Sequence, residues 1–324
     1  MACDLVAAAI AEEYQKRDPD ARLNLHVTGG FGAIFVAGEV LSSADFDVAG
    51  IVRKTLAANG VNATIEPFIA LELMSAAWGP VQGAREAAHA FGYATSETNR
   101  LLPVFVVLAQ DVARALERKR INDPEWYWLG SDYEVIVSQE KTPSIMIRAE
   151  HIPAVPGPFV REQITALVKM IHPEATIAVN AAGEETISGL GSRTGASGSQ
   201  TAGDLYGSGL PGFVSGSGRH AAHPFNSGSA IARNVARELV KAKKGKAVMV
   251  HAEWSPLEMK PRLVRVRNER GEDLSNLVDR ARFDLSLVPI AYRSSYVGVS
   301  RLRAPFDSSI ELPWETDGFP PSRE

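Results

Sequence analysis

The side chains with the clearest chemical potential lie in residues 188–229, a segment that is about half glycine and serine. Arg193, Arg219, His220 and His223 form a positive cluster within it. Arginine clamps phosphates bidentately, and glycines let backbone N–H groups approach them closely. However, no Walker pattern accompanies these residues. His220 and His223 could form a metal pair, but two histidines in a loop are usually not ligands. Because the composition equally fits a flexible linker, phosphate binding and a simple linker both stay open.

The elements that must position this segment form a recurring pattern. The sequence predicts a helix over residues 5–16 capped by Asp4, strands over 23–27 and 33–40 joined by a turn at Gly29-Gly30, a helix from about Asp45 to Gly60, and a strand over 62–67. The same order of elements returns as strands over 133–138 and 145–150, a helix over 158–172 and a strand over 175–179. A third copy comprises strands over 247–251 and 263–267, a helix over 273–283 and an apolar stretch over 285–290.

Three strand–strand–helix–strand units at an interval of about 110 residues predict an α/β protein with pseudo-threefold symmetry. Two further helices are predicted over residues 97–120 and 229–243. We expect an N-terminal domain over 1–83, a central domain over 84–188 and a C-terminal domain over 189–324, with units that can interleave in space.

Bulk composition narrows the class of protein. The chain has 324 residues, 45% of them hydrophobic, and a formal net charge of -4, which allows a large core and two or three domains. So small a charge favours neither nucleic acid nor an anionic membrane as a partner. The single cysteine, Cys3, excludes an internal disulfide, and no apolar run reaches the roughly 20 residues of a membrane span. We expect a soluble, cytoplasmic, globular protein.

Motifs along nearly the whole chain resemble those of S-adenosylmethionine synthetases (methionine adenosyltransferases), in that family's order. The most specific is FGYATSET at residues 91–98, which is similar to the family's FGYATxET. The others are CD at 3–4, DPDAR at 18–22, VAGE at 36–39, a D-I-x-x-I-V-like helix at 47–52, Asn180 with Gly183, DLYG at 204–207, SG at 217–218 with Ser227 and Arg233, and LPWE at 312–315.

The resemblance implies an α/β (α+β) fold of three similar domains with pseudo-threefold symmetry. It also implies a homodimer or higher homo-oligomer built face to face on flat sheets, with active sites between subunits. The family's reaction joins ATP and methionine, whose sulfur displaces the triphosphate from C5′ of ATP before the triphosphate is hydrolysed. It uses Mg²⁺, several Lys/Arg side chains and, in many members, K⁺, because negative charge builds on the leaving group.

The positions that handle phosphate and metal depart most from the family pattern. Where the family has the carboxylate that holds K⁺, this chain has His26. Where the family has a lysine two residues after the position of Asp132, this chain has Glu134, and where it has a magnesium-facing aspartate, this chain has Arg193. The family's mobile active-site loop is shortened here to residues 76–83, followed by Ala84 and Arg85. Ser199-Gln200 replace the family's R-K pair, Arg219 and His223 replace two lysines, and Phe225 replaces an aspartate. Removing one such contact typically costs on the order of 10²–10³ in rate. Losing several should therefore largely abolish the family reaction.

The family's G-H-P-D-K segment, which precedes its first helix, has no counterpart before Cys3. An in-frame G-H-P-D-K upstream of Met1 would favour an active enzyme.

The resemblance assigns substrate-binding roles to five residues. Glu39 falls at the position that contacts the methionine ammonium, Asp132 at an adenosine-binding aspartate and Glu86 at an aspartate near ATP. Ser217 and Gly218 fall in the S-G-K segment. Each of the three carboxylates also has a non-functional alternative. Glu39 could be a solvent-facing residue at a strand end, Asp132 a turn residue and Glu86 a charge in the first turn of a helix.

The catalytic candidates are Arg193, Arg219 and His223, as positive groups that compensate for the lost lysines. No metal ligand is assigned; Mg²⁺ stays compatible with the resemblance although its ligands are mostly absent, and K⁺ is not expected. We expect a divergent transferase that acts on ATP and methionine or a related adenosyl sulfonium. The alternatives are a catalytically inactive paralogue that serves as structural or regulatory partner of an active synthetase, and a protein that binds S-adenosylmethionine or methionine without turnover. In each case the ligand is a small adenosyl or methionine compound, with no nucleic acid or membrane partner.

Overall fold

The structure, a computed structural model, describes residues 2–61, 64–74, 84, 86–138, 142–187, 189–198, 205–207, 216–287 and 312–316. Its helices are α1 (Ala2–Arg17), α2 (Val48–Ala58), α3 (Val104–Asn122), α4 (Gly157–Ile171) and α5 (Ser229–Lys241). Its strands are β1 (Arg22–Gly30), β2 (Ala33–Leu41), β3 (Glu66–Leu73), β4 (Ala88–Thr95), β5 (Leu129–Ser138), β6 (Ser144–His151), β7 (Thr176–Val179), β8 (Gly195–Ala196), β9 (Ala247–Trp254) and β10 (Leu263–Asn268).

These strands form three sheets. The first has the order β3-β2-β1-β8, the second β5-β6-β7 and the third β10-β9-β4. Each sheet contains one antiparallel hairpin, β1–β2, β5–β6 or β9–β10, and in the first two a helix leads from the hairpin to a parallel third strand. The predicted mixed α/β class and the recurring order of the first two units are confirmed.

The turn of the first hairpin lies two residues later than predicted. Gly30 still pairs with Ala33 in the strand ladder, so Gly29-Gly30 is not the turn. The turn residues are Phe31 and Gly32, with φ of 52° and 87°. A two-residue hairpin loop needs positive φ at both positions to match the twist of its strands, and the sequence signal of glycine alone misplaced it.

The N-termini of the first two helices also differ from prediction. α1 begins at Ala2, so Asp4 is a buried first-turn residue whose Oδ1 accepts the N–H of Gly198 at 2.7 Å. α2 begins at Val48 and is capped by Asp47, whose carboxylate accepts the N–H of Gly50 at 2.9 Å. Asp4 thus ties α1 to the Gly/Ser-rich segment.

The predicted helix over residues 97–120 begins later because proline sets its start. Pro103 precedes α3, and proline disfavours helical backbone in the residue before it. Glu97 lies in the preceding turn, where its carboxylate accepts the N–H of Val104 at 3.0 Å. The FGYAT residues before this turn form strand β4, which the sequence did not predict.

The third unit is where the predicted helix over 273–283 is wrong. Short 3-10 turns over Ser275–Leu277 and Arg280–Phe283 replace it. Asp273 accepts the N–H of Ser275 at 2.9 Å and Asp279 that of Ala281 at 2.8 Å. Such local side-chain bonds compete with helical backbone bonds. The apolar stretch over 285–290 begins as another 3-10 turn, and its residues 288–290 lie outside the described ranges.

Helix α5 covers the third sheet in place of the predicted helix. It lies so close to β4 that a Cβ on Gly92 would overlap the backbone of Ala232. One continuous apolar core joins α1, α2 and the first sheet to α5 and the third sheet, whereas the second sheet packs its own core with α3 and α4. Within the described ranges, no helix is long and apolar enough to cross a membrane.

Candidate ligand site along the edge of the first sheet

Two described pieces of the Gly/Ser-rich segment pair with the outer edge of β1. The Ser197 N–H donates to the Val27 carbonyl at 2.7 Å, and the Val27 N–H donates to Ser197 Oγ at 3.1 Å. Farther along β1, the Leu25 N–H donates to the Gly218 carbonyl at 2.9 Å. These bonds satisfy backbone groups that an uncovered edge strand would leave unpaired. The described pieces of the segment are therefore part of the sheet rather than a flexible linker.

Ser217 and Gly218, which were predicted to bind substrate, lie where this segment approaches β1. Gly218 has a φ of 77°, and a Cβ built on it would overlap the carbonyl oxygen of Leu25. Only glycine fits such a position without strain. Ser217 is buried, and its hydroxyl donates to the carbonyl of Asp4 at 3.4 Å. These contacts fix the segment, and the predicted binding role of both residues stays a prediction.

Arg219 places its guanidinium against His26 of β1. Its Nη1 donates to the Leu25 carbonyl at 3.1 Å, and its Nη2 lies 3.3 Å from His26 Nε2. Because a guanidinium can only donate, His26 Nε2 accepts and the ring proton lies on Nδ1. Burial, helped by the charge of Arg219, lowers the pKa of His26 and favours the neutral ring. The contact therefore fixes both the tautomer and the charge of His26.

His223 and Glu86, predicted as catalytic and substrate-binding residues, face each other near this pair. His223 Nδ1 accepts the N–H of Phe225 at 3.2 Å, so its proton lies on Nε2, 3.7 Å from Glu86 Oε1. That separation is a polar contact longer than a hydrogen bond. The His223 ring N–H is the main reason that the pKa of Glu86 is lowered to about 2. Burial lowers the pKa of His223, so a neutral imidazole faces an ionised carboxylate.

His220 lies against these groups inside the protein. Its ring meets that of His223 edge-on with 5.5 Å between centroids, and its Nδ1 lies 3.5 Å from the backbone nitrogen of Leu23. Burial lowers the pKa of His220 to about 3, and its Nε2 has no hydrogen-bond partner among the described residues. The predicted positive character of both histidines is therefore wrong, and the positive charge here comes from Arg219.

Arg193, the other predicted cation, lies at the far end of β1, where its carbonyl approaches within 2.8 Å of a Cβ built on Gly30. Its Nη2 donates to Oδ2 of Asp132 at 2.6 Å. The same oxygen accepts Arg148 Nη1 at 3.3 Å and the N–H of Gly189 at 2.9 Å. Burial raises the pKa of Asp132, but the two arginines outweigh it and the pKa is lowered. A predicted catalytic residue, Arg193, and a predicted substrate-binding residue, Asp132, thus contact each other.

Arg148 is the residue of this second cluster that sequence patterns missed. It faces Glu134 across the β5–β6 register and reaches the carboxylates of Glu134 and Glu185, each at 3.4 Å. Opposite charges on neighbouring predicted strands are the signal that could have indicated this contact. The register that brings them together shifts between Leu129 and Tyr133, and such irregularity is not readable from periodicity.

Glu39 belongs to a polar row that crosses the first sheet. Glu72 of β3 lies opposite Glu39 of β2, and Glu39 lies opposite Asn24 of β1. On the other side of β1, Asn24 lies opposite Arg219. Opposite residues share a face of the sheet, so Glu39 and Arg219 stand on one face, roughly 10 Å apart at the backbone. Between them, the buried Oδ1 of Asn24 has no hydrogen-bond partner in the part of the chain that the structure describes.

Comparison with known proteins shows what this chain is similar to. Residues 81–184 match the family model described as S-adenosylmethionine synthetase, central domain. The chain is 28% identical to the S-adenosylmethionine synthase of Desulforudis audaxviator (strain MP104C), with 96% of this chain and 91% of that protein covered. It is 27% identical to the S-adenosylmethionine synthase of Sorangium cellulosum (strain So ce56), where the match covers 74% of this chain and 65% of that protein, just under two thirds.

The fold agrees with these sequence matches. The solved structure of an unusual S-adenosylmethionine synthetase from Campylobacter jejuni superposes with a TM-score of 0.80 at 16% identity, over 98% of this chain and 94% of that one. This chain resembles the S-adenosylmethionine synthetase family in sequence and has an S-adenosylmethionine synthetase-like fold. Departures from the family's motifs are therefore changes on a retained fold.

The metals that the family implies do not fit the described residues. Across the described ranges, no group of three or more His, Cys, Asp or Glu side chains could hold a metal ion. At the K⁺ position His26 offers a ring nitrogen to Arg219, and at the magnesium-facing position the Arg193 guanidinium contacts Asp132. Both metals prefer oxygen ligands, and both guanidiniums would repel them. The predicted changes at residues 76–83, 85, 199 and 200, and Asp204, lie outside the described ranges.

Proposed function

We propose that this protein is a transferase acting on ATP and methionine or on a related adenosyl sulfonium, bound at the outward face of the first sheet. The row that places Glu39 and Arg219 on one face carries this proposal. A carboxylate suits an ammonium and a guanidinium suits a carboxylate. The row therefore suits the two charged ends of a methionyl group, with the Asn24 amide between them.

The charge of the neighbouring groups favours an adenosyl sulfonium over a polyphosphate. Arg219 is offset by the carboxylate of Glu86, and burial lowers the pKa of His220 and His223 and favours their neutral rings. The pKa of His26 is lowered by partial desolvation and by the charge of Arg219. A triphosphate leaving group needs an excess of positive charge around it. A sulfonium that carries a methionyl zwitterion needs no such excess, so it matches this balance better.

A second candidate function, that of an inactive partner of an active synthetase, is favoured by the second cluster. Asp132 falls at the family's adenosine-binding position, yet its carboxylate already accepts bonds from Arg193, Arg148 and the Gly189 amide. All three bonds go to Oδ2, so an adenosine hydroxyl would have to bond the other oxygen, Oδ1, beside two guanidiniums. Co-purification with a full-length family member would favour this function, and a strictly homomeric protein would count against it.

The sheet faces support assembly with a second copy of the chain. On the first sheet, Phe35 and Phe68 are 48% and 49% exposed and their rings stack at 4.9 Å. The same face carries Glu72, whereas the outward face of β10 in the third sheet carries Arg265 and Arg267. Apolar patches with complementary charge suit contact between copies. Sedimentation that finds only monomer at micromolar concentration would contradict this assembly.

One incubation separates the functions. Pure protein is mixed with ATP, methionine and Mg²⁺, and S-adenosylmethionine and released phosphate are measured. In parallel, calorimetry measures binding of S-adenosylmethionine itself. Product supports the synthetase form of the proposal, and binding without product supports the sulfonium form. If the protein forms no product and does not bind S-adenosylmethionine, the proposed transferase is overturned and the inactive partner remains.

A matched pair of variants locates the binding face. Glu39→Gln should lower the affinity for S-adenosylmethionine about 10–100-fold, because it removes a charged partner of the ammonium. Glu72→Gln removes the same charge one strand farther along the row and should leave the affinity unchanged. Equal effects of the two substitutions would place the ligand elsewhere.

A further inference from the structure

We infer that the guanidinium of Arg219 takes the place of the family's K⁺ beside His26, so that this site has a built-in cation and does not use a monovalent metal ion. The inference refines the proposed function at the same face of the first sheet. It rests on the contacts of the described residues and not on the identity of the substrate.

The atoms around His26 are the wrong set for K⁺. The resemblance places the K⁺-holding carboxylate at His26, which is an imidazole here. Its Nε2 accepts from Arg219 Nη2 at 3.3 Å, and the nearby Leu25 carbonyl accepts Arg219 Nη1 at 3.1 Å. K⁺ is held in proteins by oxygen atoms that replace its water shell. The nitrogen cannot serve well, and the oxygen already has a donor.

The cation that takes these acceptors is itself fixed. Arg219 is buried opposite Asn24, and the segment that carries it bonds the next residue of β1, where the Leu25 N–H donates to the Gly218 carbonyl. Glu86 lies near enough to influence both Arg219 and His26 electrostatically. One guanidinium, one carboxylate and a neutral imidazole therefore form a balanced group. A second cation placed there would meet the Arg219 charge without a new carboxylate to offset it.

This geometry couples the two departures from the family pattern, His26 in place of a carboxylate and Arg219 in place of a lysine. An imidazole at His26 can accept from a guanidinium, whereas a lysine in place of Arg219 would present a point charge without the fork that reaches both His26 and Leu25. Reversing both changes should reverse the cation requirement. The double variant His26→Glu with Arg219→Gln supplies a carboxylate and frees the Leu25 carbonyl, which are two oxygen ligands for K⁺.

The test is thermal unfolding of the ligand-free full chain in KCl, NaCl or choline chloride at equal ionic strength. The unchanged protein should unfold at the same temperature in all three salts. The double variant should unfold about 2–4 °C higher in KCl than in choline chloride, the shift for a site filled at about ten times its Kd. Arg193→Gln, which removes a guanidinium from the other cluster, should show no preference for K⁺.

Three outcomes would overturn the inference. One is specific stabilisation of the unchanged protein by K⁺, which needs no variant to fold. Another is a folded double variant without any response to K⁺, and the third is an equal response of Arg193→Gln. None of these measurements includes substrate, so a failure of the proposed transferase activity leaves them intact. Conversely, K⁺-stabilised protein that still binds S-adenosylmethionine would reject only this inference.

Discussion

Replacing Gly218 by alanine tests whether the Gly/Ser-rich segment is fixed against β1. The left-handed backbone of Gly218, with a φ of 77°, costs an L-residue about 1–2 kcal/mol. The new methyl group would also overlap the Leu25 carbonyl, so the segment and the strand must separate. Separation weakens the 2.9 Å bond from Leu25 N–H to the Gly218 carbonyl and the 3.1 Å bond from Arg219 to the Leu25 carbonyl.

A neutral hydrogen bond contributes about 1 kcal/mol and a charged one about 1.5–3 kcal/mol. Together with the backbone cost, we expect Gly218→Ala to lower the free energy of unfolding by about 3–5 kcal/mol. The same change should weaken binding of S-adenosylmethionine, because Arg219 moves with the segment.

Gly271→Ala is the matched control for this prediction. Gly271 has a φ of 78°, and nothing lies within 4 Å of a Cβ built on it. It therefore carries the backbone cost without the overlap. Urea unfolding followed by circular dichroism gives both free energies. If Gly218→Ala were no more destabilising than Gly271→Ala, the segment would not be held against β1 and the reasoning would be refuted.

Two further predictions concern Arg233, which lies away from the Gly218 contact, and Glu86, which lies near Arg219. Arg233→Met should lower the free energy of unfolding by about 3–5 kcal/mol. The reason is that the buried guanidinium of Arg233 donates to Glu315 at 2.9 Å and to the Tyr93 carbonyl at 2.7 Å. A loss under about 1 kcal/mol in urea unfolding would contradict a stabilising role for these bonds. Glu86→Gln should destabilise the protein near neutral pH and have less effect in acid. The pKa of Glu86 is lowered to about 2 in the folded protein, so its ionised form stabilises the fold above the unfolded pKa of about 4.3, and that contribution is lost as pH falls toward 2. Urea unfolding of both proteins at several pH values checks the sign, and a pH-independent difference would count against it.

Much of the fold followed from local patterns, and the failures have local causes. The stripe of Ile164, Leu167 and Val168 was sufficient to place α4, since its apolar face repeats at helical spacing. The same reasoning failed for residues 273–283, where aspartate side chains bond the local backbone and hold 3-10 turns. Strand β4 was missed because its partner, β9, lies far along the chain. The strand over 247–251 was predicted from its own pattern, but the distance gives no local sign of which other segment pairs with it.

The candidate site shows the same division. The resemblance placed Glu39, Glu86, Asp132 and Arg219 at positions that can meet a ligand, and it remains the basis for their predicted roles. It did not show that Asp132 pairs with Arg193, or that Arg219 pairs with His26, because those contacts depend on how the Gly/Ser-rich segment lies on β1. Composition alone left a flexible linker and a phosphate-binding loop both open. The hydrogen bonds of its described pieces make it an edge of the sheet.

The replaced residues at this site act together rather than as separate losses. Where the family relies on metal ions and lysines, this chain has Arg219 against His26 and Arg193 against Asp132. Each new guanidinium thus has an acceptor within the chain. A site arranged in this way gives little net attraction to a polyphosphate, yet it can still match separate opposite charges through Glu39 and Arg219. The substitutions therefore fit the proposed binding of a methionyl sulfonium, which has separate positive and negative charges and a net charge of about +1, better than simple decay of a triphosphate site.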